Sequence, residues 1–193
     1  MAVRASGLWL GLAAAAGLIL AAACSKPAPP AASGPTIQQY MENDINPAGE
    51  FLFRSVRQVS DAKGTRLEAP RTDDDWKEVR DRLVVLRDAP KVLAADGLRA
   101  APPGFKSEHP AIESEPAEIQ AAVDADRGDF NLRAHRLQAA AQTALAAVDA
   151  KDPAALMRAL DSVDKACESC HLRYFYPRDL RAKQAAREDN LTY

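Results

Sequence analysis

The most specific feature of the sequence is the segment Cys167-Glu168-Ser169-Cys170-His171, close to the C-terminal end. Its C-x-x-C-H pattern is that of c-type haem attachment. The two sulfurs can form thioether bonds to the haem vinyl groups, and the histidine can supply the proximal imidazole. On a helix, Cys167 and His171 lie one turn apart with Cys170 beside them, so all three face one side. The motif therefore predicts one covalently bound haem c, held by Cys167, Cys170 and His171.

Three other roles are open to the two cysteines: a redox pair, a zinc site, and a disulfide or free thiols without further function. A redox pair usually lies at a helix N-terminus, where the dipole lowers a thiol pKa, whereas a long helical pattern precedes Cys167. Structural zinc needs four ligands, and His109 and His135 have no ligand-like spacing to the motif. An export signal at the N-terminus favours haem over all three.

Length and composition point to one helical domain. The 193 residues are enough for a single hydrophobic core once a targeting segment is removed. The formal net charge of −2 is too close to neutral to indicate nucleic acid as a partner. Only 3 cysteines occur, so the chain is not a disulfide scaffold. Alanine is abundant, aromatic residues make up 6%, and no alternating β-branched runs stand out, which predicts an all-α fold.

The first 23 residues are typical of a secretory signal peptide: one basic residue, an apolar run and then small residues. The apolar run is too short to span a membrane comfortably. Residues 20–25 resemble a bacterial lipobox, although the leucine stands four places before the cysteine instead of three. We expect Cys24 to be lipidated as the first residue of the mature protein. Simple cleavage before it would leave the same N-terminus without lipid.

Residues 24–35 are rich in proline and alanine, which predicts an extended spacer between the anchor and the domain. A lipid anchor with a spacer holds a protein beside a membrane without crossing it. We therefore expect a periplasmic protein anchored through lipidated Cys24. Ser25 lacks the acidic character that commonly retains lipoproteins at the inner membrane, which favours the outer membrane.

Residues 36–193 are assigned to one domain with four helical stretches. Their apolar residues recur every three or four positions, as in a helical bundle. In the second stretch these are Trp76, Val79, Leu83 and Leu86, and in the third they are Ala134, Leu137, Ala141, Ala144 and Val148. The stretches span about 36–59, 73–97, 116–148 and 152 through the haem motif. Pro47 predicts a kink or break in the first, and Pro90 predicts one in the second. We expect an up-down four-helix bundle with the haem inside it, because the cysteines continue the core stripe of the fourth stretch.

This arrangement, with C-x-x-C-H near the C-terminal end, resembles the class II cytochromes c, which are four-helix bundles of the cytochrome c prime type. Residues 37–41 look like the first-helix segment of that family, and residues 167–174 look like its haem segment. The family often has an arginine near a haem propionate at the position of Ile37, and an aromatic-arginine pair where this chain has Tyr174-Phe175. Because both of these arginines are missing here, another basic residue is expected to bind the haem propionates. The candidates are Arg173, Arg178 and Arg181.

The resemblance also implies a role for Met41. In low-spin members of the family a methionine at the matching position binds the iron, whereas in the cytochrome c prime branch that side is filled by a non-binding side chain. Methionine and histidine ligation together raise the reduction potential, which suits electron transfer. Met41 could instead be a core side chain. Met157 lies roughly 21 Å along the helix from His171 and cannot reach the same iron.

The function predicted is electron transfer through one covalent haem, with a redox partner that the sequence does not identify. One alternative is a five-coordinate haem protein that binds a small gas such as nitric oxide. Another is an accessory haem subunit of a respiratory complex. Catalysis by the chain itself is not expected, because no paired carboxylates and no nucleophile with its base accompany a recognisable motif. We expect a monomer or a homodimer.

Overall fold

The computed structural model describes Met1, residues 34–62 and residues 64–180. The predicted signal peptide, Cys24 and Arg181 lie outside the described residues, apart from Met1. In chain order the elements are α1 (Ile37–Tyr40), a π turn (Met41–Ile45), α2 (Asn46–Ser55), β1 (Arg57–Asp61), β2 (Gly64–Glu68), α3 (Asp73–Asp88), α4 (Pro90–Leu93), α5 (Pro116–Ala125), α6 (Arg127–Asp149) and α7 (Pro153–Tyr174). The fold is mostly helical, as predicted. Within the described ranges, every helix is too short or too polar to cross a bilayer.

The first helical segment begins at a capping box. The Thr36 hydroxyl accepts a hydrogen bond from the Gln39 amide at 3.3 Å, and the Gln39 side chain accepts one from the Thr36 amide at 3.1 Å. The helix then widens into the π turn, where the Asn46 amide donates to the Met41 carbonyl. Pro47 has no amide hydrogen and its ring crowds the preceding turn. The interruption expected at Pro47 therefore takes the form of a π turn, and the helix continues beyond it.

A β-hairpin replaces the end of the first predicted helix, and it corrects the all-α expectation. The helix was expected to reach Val59, but α2 ends at Ser55 and Val56 is extended, with φ −141° and ψ 126°. Strands β1 and β2 are antiparallel, and Gly64, the first residue of β2, has a φ of +105°, which glycine adopts without steric cost. Nearly every hairpin position is exposed. The hairpin therefore lacks the alternation that marks a half-buried strand in a sequence.

The second and third predicted stretches are each divided in two. Helix α3 buries its predicted stripe of Trp76, Val79, Leu83 and Leu86, and α4 follows it from Pro90. The third stretch breaks at Asp126, two residues before the expected Gly128. The Asp126 carboxylate accepts a hydrogen bond from the Asp129 amide at 3.1 Å and so caps α6.

Helix α6 occupies the centre of the fold. It packs against α3 on one side and α7 on another, and α3 also packs against α2. Alanines at the α6 contact bring the backbones close: Ala134, Ala141 and Ala144 are buried. Leu156 of α7 is fully buried, and removing such a side chain from water contributes roughly 1.5–3 kcal/mol. The α6–α7 pair is thus a firm support for the motif at the end of α7.

Candidate cofactor site

A cavity of about 340 Å³ lies beside the C-terminal half of α7, and we call it the first cavity. Cys167, Cys170 and His171 all line it, so the three motif residues share one side of the helix as predicted. Met41 of the π turn lines it as well. The rest of the wall is largely apolar and comes from the π turn, α2, α3, α4, α6 and α7: Ile45, Phe53, Leu86, Leu93, Phe130, Ala134, Leu137 and Val163.

Both thiols of the motif are free and partly buried. Burial raises the pKa of Cys167 to about 12 and that of Cys170 to about 11. A reactive redox cysteine needs a depressed pKa, so these environments do not favour a disulfide-exchange role. The described residues also contain no group of three or more His, Cys, Asp or Glu side chains that could hold a metal ion.

The His171 imidazole is held among aromatic rings. The ring centroids of Phe175 and Tyr176 lie 5.5 Å and 6.1 Å from it. Burial lowers the pKa of His171, which favours the neutral imidazole. The neutral form is the one that binds a metal. The histidine is therefore in the state that haem ligation requires.

A second cavity, of about 210 Å³, adjoins the first. The two share Met41, Phe130, Cys170 and His171. The remaining wall of the second cavity includes Phe105 of the loop between α4 and α5. Met41 and His171 thus border the same space from different helical segments. A π turn at this place agrees with the general occurrence of π turns at functional sites.

The residues around the first cavity fit a haem. Two free thiols stand beside a neutral imidazole on one helix, the π turn offers a thioether, and the remaining wall is largely apolar. Cys167 and Cys170 would hold the macrocycle, and His171 would bind the iron. Met41 is partly buried, so its sulfur can serve either as a ligand or as core packing.

Sequence reasoning missed a polar network beside the motif. Arg133 donates from Nε to Asp129 Oδ2 at 2.7 Å and from Nη1 to the Ser169 carbonyl at 2.7 Å. The Tyr174 hydroxyl donates to Asp129 Oδ2 at 2.9 Å. The hydrogen bond from Arg133 lowers the pKa of Asp129, while burial raises that of Tyr174. The signal available in the sequence was the four-residue spacing of Asp129 and Arg133, which places an acid and a base on the same helix face beside the predicted stripe at Ala134.

Several predicted candidates lie away from the cavities. The Arg173 guanidinium lies 5.1 Å from the centre of the Tyr174 ring, and neither Arg173 nor Arg178 lines either cavity. His135 and His109 are exposed, as expected. Met157 is 36% exposed on α7 and contributes to neither cavity. Among the described residues that line the first cavity, the one basic side chain besides His171 is Arg133.

A mostly helical fold that carries C-x-x-C-H into an apolar cavity has the features of a haem-binding c-type cytochrome. Residues 91–174 match the family model described as Cytochrome C'. The match supports a cytochrome c prime-like class, and the predicted resemblance is confirmed over this part of the chain. The family implies a haem cofactor, usually covalently bound. No curated protein and no solved structure matches the chain significantly.

The matched region runs from α4 to the end of α7. It includes Cys167, Cys170 and His171 but stops short of Met41 on its N-terminal side. The match therefore bears on the proximal half of the candidate site. The distal half rests on the geometry of the π turn.

Proposed function

We propose that this protein is an exported electron-transfer cytochrome with a single covalent haem c. Cys167 and Cys170 form the thioether bonds, and His171 is the proximal iron ligand. The observation that carries the proposal is that all three motif residues line one largely apolar cavity. All three also lie within the region matched by the family model. The high thiol pKa values and the neutral imidazole support it over a redox pair or a zinc site.

The bound haem would supply one-electron redox chemistry, and the chain would control its surroundings. Thioether bonds to Cys167 and Cys170 would fix the macrocycle to α7, which packs along α6. The largely apolar wall would limit access of water and lower the local dielectric constant, and both influence the reduction potential. The rings of Phe175 and Tyr176 restrict the orientation of the His171 imidazole.

We further propose that the domain is an up-down four-helix bundle. Its first helix is the segment from α1 through the π turn to α2, and the others are α3, α6 and α7. Packing of α3 against both α2 and α6, and of α6 against α7, supports this arrangement. A chain that begins at Thr36 should retain haem and helical circular dichroism, because the Thr36 capping box is a natural helix start. Unfolding of that shortened chain would contradict the domain boundary.

Met41 is proposed as the distal ligand. It borders both cavities together with His171, and its π turn is fixed by the neighbouring Pro47. Ligation by a thioether opposite an imidazole would favour ferrous iron and raise the potential. If Met41 does not bind the iron, the open distal side favours the gas-binding alternative.

Localisation is a separate proposal that depends on Cys24. We propose a periplasmic protein tethered by lipid on that residue, with the outer membrane favoured by Ser25. Mass spectrometry of the mature N-terminus tests it. An unmodified Cys24 would mean a periplasmic protein without a lipid anchor and would leave the haem proposal intact.

The haem proposal is tested by expression with a c-type haem maturation system, followed by a denaturing gel stained for haem. Denaturation removes non-covalent haem, so a stained band requires a covalent bond. The band should disappear in a Cys167→Ala, Cys170→Ala double variant and persist in a Cys24→Ala control. A band that survives the double substitution would overturn the assignment.

A further inference from the structure

Arg133 differs from the acidic residues around the first cavity in the sign of its charge and in how little of its side chain is exposed. The acidic side chains lining it are Glu50, Asp164 and Glu168, and among the described lining residues Arg133 is the permanent cation. The Glu50 side chain is 67% exposed and Asp164 is also exposed, whereas the Arg133 side chain is only 18% exposed. Solvent ions screen exposed charges much more than buried ones. Glu168 is half-buried and accepts a hydrogen bond from the Tyr176 hydroxyl at 3.1 Å. Arg133 is therefore the permanent positive charge on the cavity wall, and solvent ions should screen it little.

The guanidinium of Arg133 is fixed from two sides. Its Nε donates to Asp129 one turn earlier on α6, and its Nη1 donates to the Ser169 carbonyl, which lies between the two motif cysteines. Asp129 is in turn held by the Tyr174 hydroxyl. These bonds join α6 to the motif on α7 and prevent the cation from turning toward solvent.

The Arg133–Asp129 pair also has a direction. Arg133 lines the cavity, whereas Asp129 lines neither the first cavity nor the second. The positive end of the pair is therefore nearer to the space proposed for the haem. Coulomb energy falls with distance, so the two charges do not cancel within the cavity.

We propose that the Arg133–Asp129 pair sets the reduction potential of the haem, Arg133 raising it and Asp129 lowering it. This inference rests on the proposed haem function. Reduction adds one negative charge to the iron centre, so a fixed cation stabilises the reduced form and a fixed anion destabilises it. Arg133 is a positioning residue as well, because its bond to the Ser169 carbonyl restrains the segment between the cysteines.

The test is a redox titration of the haem-loaded protein and three variants, followed by absorption. Arg133→Gln should lower the affinity of the haem for its electron about tenfold, which corresponds to about 59 mV for a one-electron couple. Asp129→Asn should shift the potential upward. Arg136→Gln removes the same kind of charge from an exposed position on α6 and should leave the potential unchanged.

The opposite signs separate this inference from a purely structural role. Both substitutions break the same ion pair, so simple loosening of the site would move both potentials in the same direction. Arg133→Lys keeps the charge and should stay close to the wild-type potential. Shifts of equal sign, or no shift in Asp129→Asn, would overturn the inference even if Arg133→Gln failed to fold. Absence of covalent haem in the wild type would instead overturn the proposed function, and this inference with it.

Discussion

The α6–α7 pair and the β1–β2 hairpin differ in how deeply their side chains are buried. The facing sides of α6 and α7 bury alanines, leucines and valines against each other, and the end of α7 carries the candidate haem motif. Hairpin side chains are nearly all exposed, and ion pairs such as Arg57–Glu68 and Arg66–Asp61 link the strands. Burial therefore concentrates where the cofactor must be held rigidly. The hairpin can change with little effect on the site.

The N-terminal part nevertheless contributes to the site through one short segment. The π turn brings Met41 to the cavities, while none of the described residues of the hairpin lines either cavity. The comparison thus predicts a ranking of effects: largest for residues at the cavity, intermediate for the buried α7 core, and smallest for the hairpin.

The largest effect is expected for Met41→Ala. If the thioether binds the iron, the ferric protein should show the weak sulfur-to-iron absorption band near the red end of the spectrum, and the variant should lose it. The variant should become high-spin, bind carbon monoxide readily when reduced, and have a lower potential. Met157→Ala is the matched control, because Met157 is exposed on α7 and lines neither cavity. Identical high-spin spectra for wild type and Met41→Ala would show that Met41 is a core side chain and does not bind the iron.

Core truncation should separate α7 from the hairpin. Leu156→Ala removes a fully buried side chain and should lower the free energy of unfolding by about 2–5 kcal/mol. Leu67→Ala makes the same chemical change in β2, where the side chain is 39% exposed, and should stay within about 0.5 kcal/mol of wild type. Urea unfolding followed by circular dichroism measures both. Equal losses would show that the hairpin is part of the cooperative core.

A smaller effect should appear in acid. Arg133 holds the pKa of Asp129 below its ordinary value of 3.8, so the carboxylate stabilises the fold above that value. The stabilisation is lost as the pH falls through the lower pKa of the folded state. Asp129→Asn should therefore flatten the dependence of unfolding free energy on pH below about pH 4. Between pH 6 and 8 the slope of that dependence should change little. An unchanged acid slope would mean that the Asp129–Arg133 bond contributes nothing to stability.

The smallest effect is expected for the hairpin ion pairs. Arg66 donates to Asp61 and Glu68, and all three side chains are substantially exposed. Exposed pairs are screened by salt and contribute little. Arg66→Gln should shift the urea midpoint measurably only at low ionic strength and should leave the haem spectrum unchanged. A spectral change would connect the hairpin to the site and contradict the ranking.

Sequence reasoning succeeded where periodicity and spacing are enforced by burial. The α3 stripe from Trp76 to Leu86 is buried as predicted, and Cys167, Cys170 and His171 share one cavity because their spacing matches one helical turn. The predicted start of the first helical stretch near residue 36 is also confirmed, since Thr36 is the N-cap of α1.

The features that were missed have no such pattern. An exposed hairpin has no buried face to impose alternation on its strands, so its sequence reads as the end of a helix followed by a loop. The π turn is a local response to Pro47 that leaves the apolar spacing of Ile37, Met41 and Ile45 unaltered. No sequence motif distinguishes Arg133, since its hydrogen bond to Ser169 depends on how α6 and α7 pack.

The central claim is one covalent haem on the α7 motif, and intact-mass and peptide mass spectrometry of the mature protein test it most directly. We expect a mass increase equal to a single haem, located on the peptide that contains both Cys167 and Cys170. Unmodified cysteines in that peptide, after expression with an active haem maturation system, would contradict it.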